Sequence, residues 1–294
     1  MSRVVVLGDV MLDVAVRRLA PIAPTSDTPS RIRVSRGGSG ATLALAVSAG
    51  GHDVTYLGAA GRDGASTIVR DALARANVTA DLEVVDASTG TVVSLVDVDG
   101  QRSMLTDRGA NSLLSGPYVL TRLAVPFDHL HVSGYVLLDA ATRSIGVAAL
   151  EFARERHRAS SVDVCSVAPL QEMTPGRFLE AASGATQLYA NEEEALVLTS
   201  LSDVDDALEF LAARFNEVVI TRGARGALSA NGEVRARVVA HEARVVDTTG
   251  AGDVATGTYL GARLRGELPE RALEVAMAAS ARVVEELGAD YPGT

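Results

Sequence analysis

The feature of this chain that most limits its fold is an alternation of short apolar runs with amphipathic segments of helical length. From residue 117 onward, candidate strands occur at 129–132, 160–164, 186–189 and 217–221, and candidate helices at 141–156, 191–198, 204–214, 252–264 and 270–287. A strand followed by a helix usually returns to the same sheet as a parallel strand. Strands at 4–7 and 54–57 and helices at about 40–49 and 65–76 extend the pattern. It predicts a parallel sheet with helices on both faces.

Two segments interrupt this alternation. Residues 14–36 contain three prolines, several arginines and the alternating sequence Arg31-Ile32-Arg33-Val34, and residues 90–106 alternate on both sides of Asp99-Gly100. Such alternation is typical of exposed strands, and Asp-Gly between two runs favours a hairpin turn. The sequence therefore predicts one domain over residues 1–294, with a small inserted β-sheet formed by about 14–36 and 90–108.

Composition excludes several classes of protein. The net charge is −10, which disfavours nucleic acid and anionic membrane surfaces as partners. The chain contains no lysine, so all 27 basic residues are arginines. A P-loop, a protein-kinase site and a Schiff-base enzyme each need a lysine and are excluded. Any phosphate group must therefore be bound by arginine, by metal or by backbone N–H groups.

Cysteine and histidine usage offers no metal or disulfide framework. Cys165 is the single cysteine, which excludes an intrachain disulfide, and we expect it in the core or in a pocket wall. His129 and His131 share one face of a strand without a third ligand, so we expect structural roles. The amino terminus lacks a signal-peptide core, and no run approaches the roughly 18 apolar residues that span a bilayer. We therefore expect a cytoplasmic enzyme.

The strongest chemical signal is the stretch from Asp247 to Asp253, Asp-Thr-Thr-Gly-Ala-Gly-Asp. A helix that begins at about Ala251 would direct its free N–H groups and positive dipole end at the glycine-rich turn. This is an anion hole that needs no lysine, suited to charge on a transferring phosphoryl group. Asp253, in the first helical turn, could accept a proton from an attacking hydroxyl group.

This stretch resembles the carboxyl-terminal signature of the PfkB family of carbohydrate kinases, which have the ribokinase-like fold. Further resemblances follow in family order: Gly37-Gly38-Ser39-Gly40-Ala41, 58–64, Thr89-Gly90-Thr91, Arg108-Gly109-Ala110-Asn111, 191–195 and 221–226. They span nearly the whole chain. The resemblance implies a three-layer αβα fold with a mostly parallel central sheet and a small β-sheet lid, and an ATP-dependent kinase that closes over its substrate.

The resemblance also implies roles for individual residues. The base is Asp253, and the anion hole is formed by Gly250, Ala251 and Gly252. Asn191 and Glu194 organise Mg²⁺. The nucleotide is contacted at Thr221, Gly223 and Gly226, with Arg222 or Arg225 near the phosphates. The substrate is bound by Asp13, Gly37, Gly38, Thr42 and Arg108, with Asp9 as a second carboxylate or a turn residue. A monovalent cation such as K⁺ would be bound by the Asp247 side chain and the Thr249 carbonyl group.

Two departures from the family pattern lie on the acceptor side. Thr42 stands where the amino-terminal signature usually has Asn, and Asp163-Val164-Cys165-Ser166 stands where similar enzymes often have Asp-x-Asn. Thr lacks the amide that can bridge two hydroxyl groups. The acceptor therefore stays open between a sugar, a sugar acid and, as the alternative, a nucleoside, for which Tyr135 or Phe127 would have to wall the base.

Two other classes of protein compete with the kinase hypothesis. A nucleotide-binding oxidoreductase is disfavoured, because no Gly-x-Gly-x-x-Gly follows a strand. A catalytically inactive regulatory protein is disfavoured by the complete Asp247–Asp253 stretch. The exposed lid strands also predict a homodimer through 14–36 and 90–108.

Overall fold

A computed structural model describes residues 1–96 and 102–285 of the chain, and the predicted Asp99-Gly100 turn lies outside this range. Within it, a nine-stranded sheet forms the centre of the molecule. Its strands are β1 (Arg3–Leu7), β4 (Asp53–Ala60), β5 (Val78–Val84), β8 (His129–Ser133), β9 (Ala159–Asp163), β10 (Gln187–Asn191), β11 (Glu217–Thr221), β12 (Ala227–Asn231) and β13 (Val234–Val238). Their order is β13-β12-β11-β10-β9-β8-β1-β4-β5.

The central sheet is parallel from β5 to β11, as the alternation predicted, and β12 and β13 add an antiparallel edge. Helices accompany nearly every parallel crossover. They are α1 (Ser39–Ala49), α2 (Gly64–Arg75), α3 (Gly116–Leu123), α4 (Gly134–Leu138), α5 (Arg143–Glu155), α6 (Val167–Met173), α7 (Pro175–Ala182), α8 (Glu192–Thr199), α9 (Val204–Ala212), α10 (Ala251–Leu264) and α11 (Pro269–Val283).

Alternate residues of the buried strands face opposite helical layers. In β1, Val4 and Val6 pack into the cluster that contains α1, α2 and α10, whereas Val5 and Leu7 pack into the cluster of α3 to α9. The period of two along a strand requires this division, because neighbouring side chains point to opposite faces. The result is the predicted three-layer αβα arrangement.

A second, four-stranded sheet lies outside the central sheet and is called the lid here. It consists of β2 (Met11–Arg18), β3 (Ser30–Gly37), β6 (Gly90–Val96) and β7 (Arg102–Asp107), in the order β3-β2-β6-β7. The pairs β2–β3 and β6–β7 are antiparallel and β2–β6 is parallel. The small sheet predicted from the two interrupting segments is thus present, and its first strand begins at Met11 rather than near residue 14.

The strand order locates the ligand-binding edge. The chain builds outward from β1 through β4 to β5, and then returns to the other side of β1 at β8. In an open parallel sheet, ligands bind beyond the carboxyl ends of the strands where the order reverses. Asp9, Asp163, Asn191 and Thr221 all end or follow strands on this edge. Among residues 1–96 and 102–285, no helix is both long enough and apolar enough to cross a membrane.

Candidate active site

The amino terminus of α10 opens onto this edge of the sheet. Gly250 precedes it with φ of 75°, a left-handed conformation that favours glycine. The first helical hydrogen bond runs from the Val254 N–H to the Gly250 carbonyl group at 2.9 Å. The N–H groups of Gly252 and Asp253 precede that bond and point out of the helix end. A Cβ atom built on Gly252 would meet nothing within 4 Å, so this end is open to a ligand.

The Asp253 carboxylate lies in the first turn of α10 and is held by α1. The Ser39 hydroxyl group donates a hydrogen bond of 2.6 Å to its Oδ1 atom. Burial raises the pKa of Asp253, and the bond from Ser39 and the charge of Arg36 partly lower it again. A carboxylate that is oriented and partly desolvated beside a helix N-terminus can accept a proton from a hydroxyl group.

Arg36 is a site residue that sequence reasoning missed. Its side chain is 2% exposed, and its Nη1 atom donates a hydrogen bond of 2.8 Å to the Thr42 Oγ1 atom. Burial lowers the pKa of Arg36 to about 10, and the nearby Asp253 carboxylate opposes that shift. In the sequence Arg36 is one of five arginines in residues 14–36. Only its position next to Gly37-Gly38 distinguishes it from residues that the fold leaves in solvent.

Thr42, predicted to bind substrate, has its hydroxyl group engaged within the protein. Besides accepting the bond from Arg36, it donates to the Gly38 carbonyl group at 3.3 Å, and the residue is 1% exposed. Gly38 has φ of 96°, and a Cβ atom there would lie 2.5 Å from the Asp9 carbonyl oxygen. Glycine is therefore required where the lid strand returns to the core.

Asp13 lies on the lid strand β2, close to this turn. It is 5% exposed and pairs with Ser35 across the sheet. A Cβ atom on Gly37 would be only 3.1 Å from the Asp13 Cβ atom, so the two strands approach closely here. Asp13 also lies within electrostatic range of Arg36. The structure thus brings Asp13, Gly37, Gly38 and Thr42 together at the base of the lid.

Arg108, a second predicted substrate contact, forms a clamp between two carboxylates. Its Nη1 and Nη2 atoms bind the Asp9 oxygens at 2.7 and 2.9 Å, and its Nε atom lies 2.6 Å from the Asp139 Oδ2 atom. Burial raises the pKa of Asp9, against the opposing charge of Arg108. Asp9 is therefore more than a turn residue, because it anchors the exit of the lid to the carboxyl end of β1.

Asn191 and Glu194 form a reciprocal cap at the start of α8. The Glu194 N–H donates to the Asn191 Oδ1 atom, and the Asn191 N–H donates to the Glu194 Oε2 atom, both at 2.9 Å. Glu194 is 4% exposed, and burial raises its pKa to about 7. The predicted pair is thus fixed in place by the helix it begins.

Asp163 lies close to Glu194 and was not predicted as a site residue. It ends β9, and its pKa is raised well above the usual range by burial and then by the charges of Glu194 and Asp253. Its place at the carboxyl end of a parallel strand was the signal available from the sequence. Within the described ranges no group of three His, Cys, Asp or Glu residues has metal-binding geometry. A pair of carboxylates suits Mg²⁺, which keeps water ligands and takes further oxygens from phosphates.

The turn before α10 is held by its own side chains. The Thr249 N–H and hydroxyl groups both donate to the Asp247 Oδ1 atom, at 2.9 and 2.6 Å. The Val284 carbonyl group accepts bonds from the N–H groups of Val246 and Asp247, at 2.7 and 3.2 Å. These bonds fix the predicted monovalent-cation residues next to the open end of α10.

A cavity of about 600 Å³ adjoins that end and suits a nucleotide base. Gly223 and Ala251 line it, together with the apolar side chains of Val245, Met277 and Ala281. Thr221 ends β11, directly across from Asn191 in the sheet register. Gly226 is required by the turn that follows β11, since its φ is 88° and a Cβ atom would lie 1.9 Å from the Val238 carbonyl oxygen.

The two arginines expected near the phosphates are held by an acidic side chain. The Arg222 Nη2 atom lies 3.3 Å from the Glu192 Oε1 atom, and Arg225 contacts the other oxygen of the same carboxylate. Glu192 begins α8, beside the Asn191 cap. Any phosphate contact from either arginine would compete with this pairing.

Cys165 lies in the site wall, as expected. Its Sγ atom is 3.6 Å from the Ser39 Oγ atom and 3.5 Å from the Ser133 Oγ atom, and burial raises the pKa of the thiol.

Of the two aromatic residues considered for a nucleoside base, Tyr135 is in electrostatic range of both Cys165 and Asp253. Phe127 instead packs in the core before the amino end of β8, so it cannot wall a base at the opposite edge.

His129 and His131 also have the structural environment that was expected. Both ring systems contact the Ser161 hydroxyl group, at 2.8 and 2.9 Å, and both residues are fully buried. Burial lowers both pKa values to about 3, so the two rings are neutral at physiological pH.

The fold and the site together define a small-molecule phosphotransferase: a parallel sheet, a lid, an open glycine-rich helix start and a carboxylate beside it. The chain belongs to the pfkB family of carbohydrate kinases, whose sequence model matches residues 1–293. The predicted family and ribokinase-like fold are thereby confirmed. Members of this family transfer phosphoryl groups to alcohol acceptors.

Individual relatives agree with this assignment. The chain is similar to ribokinase from Schizosaccharomyces pombe, with 28% identity over 313 residues, covering 98% of this chain and 94% of that protein. It is also similar to the structure of ribokinase from Cryptococcus neoformans in complex with ADP, with 27% identity, a TM-score of 0.80 and coverage of 98% and 96%. Adenosine kinase from Sinorhizobium meliloti has the same fold, with 23% identity, a TM-score of 0.89 and coverage of 100% and 96%.

Proposed function

We propose that the protein transfers the γ-phosphoryl group of ATP to a hydroxyl group of a sugar or sugar acid, with Asp253 as the base. The position of that carboxylate carries the proposal. Ser39 holds it by a bond of 2.6 Å in the first turn of α10, beside the outward N–H groups of Gly252 and Asp253. With Oδ1 occupied by Ser39, we assign Oδ2 to the acceptor hydroxyl proton.

The backbone from Gly250 to Gly252 would stabilise the charge that develops on the transferred group. N–H groups fixed by the helix need no reorganisation during the reaction, which is the advantage of such a hole. The adenine base would lie in the apolar cavity between Gly223 and Met277, with the triphosphate directed from there toward Gly252. The phosphates would then meet the open helix end without any lysine.

We assign Mg²⁺ to the buried carboxylates of Asp163 and Glu194. A Mg²⁺ ion held by these carboxylates would neutralise part of the charge of the phosphate groups. Burial and the charge of Asp253 raise the pKa values of both carboxylates, and Glu194 raises that of Asp163 further; a divalent cation would relieve this cost of ionisation. Asn191 would orient Glu194 through the helix cap.

A monovalent cation such as K⁺ is proposed at Asp247 and the Thr249 carbonyl group, and a dependence of the rate on KCl would test it.

The acceptor would bind between the lid and the carboxyl end of β1. Asp13 offers carboxylate oxygens to vicinal hydroxyl groups. Gly37 and Gly38 let the backbone approach the ligand, and the Asp9–Arg108 clamp shapes the lid exit. Lid closure would exclude water and so limit ATP hydrolysis. Because ATP is an intracellular cofactor, we place the reaction in the cytoplasm.

A nucleoside kinase is the competing function within the same fold. Tyr135, in electrostatic range of Asp253, is an aromatic ring on which a nucleoside base could stack. A coupled assay for ADP release with ribose, fructose, 2-keto-3-deoxygluconate, adenosine and cytidine separates the two functions. We expect activity with a sugar or sugar acid, and activity with nucleosides alone would establish the competing function.

We further propose a homodimer formed through the lid. One lid face is apolar, because the register places Val14 opposite Val34 and Val93, and Val16 opposite Ile32 and Leu95. Ile32 is 65% exposed and Val34 is 50% exposed. An apolar patch on an exposed sheet is suited to burial against a second copy.

Light scattering tests the dimer. The wild-type protein should have the mass of a dimer at micromolar concentration, and Ile32→Glu should shift it to a monomer. Arg31→Glu, on the opposite face of the same strand, is the matched control and should stay dimeric. A wild-type monomer contradicts the proposal.

A further inference from the structure

Arg36 is one of the largest side chains that the fold buries almost completely, at 2% exposure. Removing a guanidinium group from water is costly unless fixed partners compensate for it. On the same strand, Arg31 is exposed and Arg33 is half-buried. The burial of this charge next to the glycine turn therefore indicates that Arg36 has a role in the site.

The segment from Arg36 to Thr42 reaches Asp253 in two ways. At its start, the Arg36 Nη1 atom bonds the Thr42 Oγ1 atom at 2.8 Å and so ties the segment's ends together across the turn. In its middle, the Ser39 hydroxyl group bonds the Asp253 Oδ1 atom at 2.6 Å. The charge of Arg36 also acts directly on Asp253, Tyr56 and Asp13.

We propose that Arg36 is a positioning residue for the phosphoryl transfer, which fixes the turn that orients Asp253 and supplies the positive charge that keeps this carboxylate ionised. The proposal rests on the proposed function. Arg36 acts through Ser39, Thr42 and Asp253 and need not contact the reacting atoms. It also gives Thr42 a role, since the Thr hydroxyl group accepts the guanidinium bond.

The other titratable groups around Asp253 do not supply this charge. Besides Arg36 from β3, the titratable groups within electrostatic range of Asp253 are Tyr56 from β4, Tyr135 from α4, Asp163 and Cys165 from the end of β9, and Glu194 from α8. The carboxylates oppose ionisation of Asp253, and burial keeps the tyrosines and the thiol neutral. Of these groups, Arg36 is the cation, so its removal should leave a base that holds its proton to higher pH.

The test compares Arg36→Met, Arg36→Lys and the control Arg31→Met in a pH profile of kcat/KM from pH 5 to 9. In Arg36→Met, we expect the acidic limb to move up by about one pH unit, so that the rate falls by up to about tenfold at pH values below the limb and stays near the wild-type value on the plateau. Arg36→Lys should keep the limb near its wild-type position, and Arg31→Met should match the wild type. A uniform loss of rate in Arg36→Met with an unmoved limb would assign Arg36 a merely structural role and overturn the proposal.

A second measurement does not depend on activity. Thermal unfolding of Arg36→Met, Asp253→Asn and the double variant forms a cycle that isolates the coupling between the two charges. We expect Asp253→Asn to raise the stability of the Arg36→Met protein by more than it changes the stability of the wild type, because without Arg36 the carboxylate is uncompensated. Equal effects of Asp253→Asn in the two backgrounds overturn the proposal. If no acceptor is phosphorylated by the wild type, the proposed function fails, while this cycle still decides the role of Arg36.

Discussion

The clamp of Arg108 between Asp9 and Asp139 gives the sharpest test of how the lid is joined to the core. Replacing Arg108 by Met keeps most of the side-chain volume and removes the charge. Two bonds to Asp9, of 2.7 and 2.9 Å, and the contact of 2.6 Å with Asp139 are lost together. Asp139 keeps bonds from Ser112 and from the Ala141 N–H, but Asp9 loses its cation while buried.

The size of the effect follows from the burial of the clamp. The side chains of Arg108, Asp9 and Asp139 are 24%, 10% and 17% exposed. Removing one partner of a fully buried pair costs about 3–5 kcal/mol, and partial exposure of Arg108 places this case at roughly 2–4 kcal/mol. For a chain of this length such a loss corresponds to roughly 3–7 °C in Tm.

Thermal unfolding followed by circular dichroism measures this loss. The control is Arg271→Met, because the pair of Arg271 with Glu274 lies on the surface, and its Tm should stay at the wild-type value. Adding Asp9→Asn to Arg108→Met should restore part of the lost stability, since the buried charge is then gone. An Arg108→Met variant as stable as the control, or a double variant without recovery, would refute the reasoning.

Two further predictions concern buried groups outside the reaction. Burial lowers the pKa values of His129 and His131 to about 3, so as pH falls below about 6.5 the unfolded chain binds protons that the folded protein does not. Each ring should then lower the free energy of unfolding by about 1.4 kcal/mol per pH unit. Urea unfolding at pH 7 and pH 5 measures this loss, and the double variant His129→Gln/His131→Gln should lose most of the pH dependence. Burial raises the pKa of Cys165, so the thiol should resist iodoacetamide at pH 8 until the protein unfolds, as mass spectrometry would detect, and rapid labelling of the folded protein would contradict this.

Much of the central sheet could be predicted because its strands are continuous apolar runs between helices. The strands that were missed are the edge strand β5, in which buried residues are interrupted by exposed ones, and the short antiparallel pair β12 and β13. β13 carries exposed arginines at Arg235 and Arg237. Short helices such as α6 and α7 have too few turns for the helical spacing of apolar residues to be recognised in the sequence. The predicted helix over 141–156 corresponds to α5 alone, and the five-residue α4 precedes it.

The site was predictable where its functional residues are consecutive in the sequence, as in Asp247 to Asp253. It was not predictable where burial gives a residue its role. Arg36 and Asp163 are ordinary charged residues in the sequence, and only the fold places them in low-dielectric surroundings near Asp253. Arg108 was predicted as a substrate contact, but the structure adds its bidentate bond to Asp9, which links positions 99 residues apart.

The central claim is that the Asp253 carboxylate is the base of an ATP-dependent phosphoryl transfer, and Asp253→Asn tests it most directly. The rate of phosphorylation should fall about 10²–10⁴-fold while ATP binding, measured by calorimetry, stays near the wild-type value. Since burial raises the pKa of Asp253, ionisation of this carboxyl group destabilises the folded state as pH rises toward that pKa. The variant should therefore be at least as stable as the wild type at pH 7. A phosphorylation rate within a few-fold of the wild type would contradict the account.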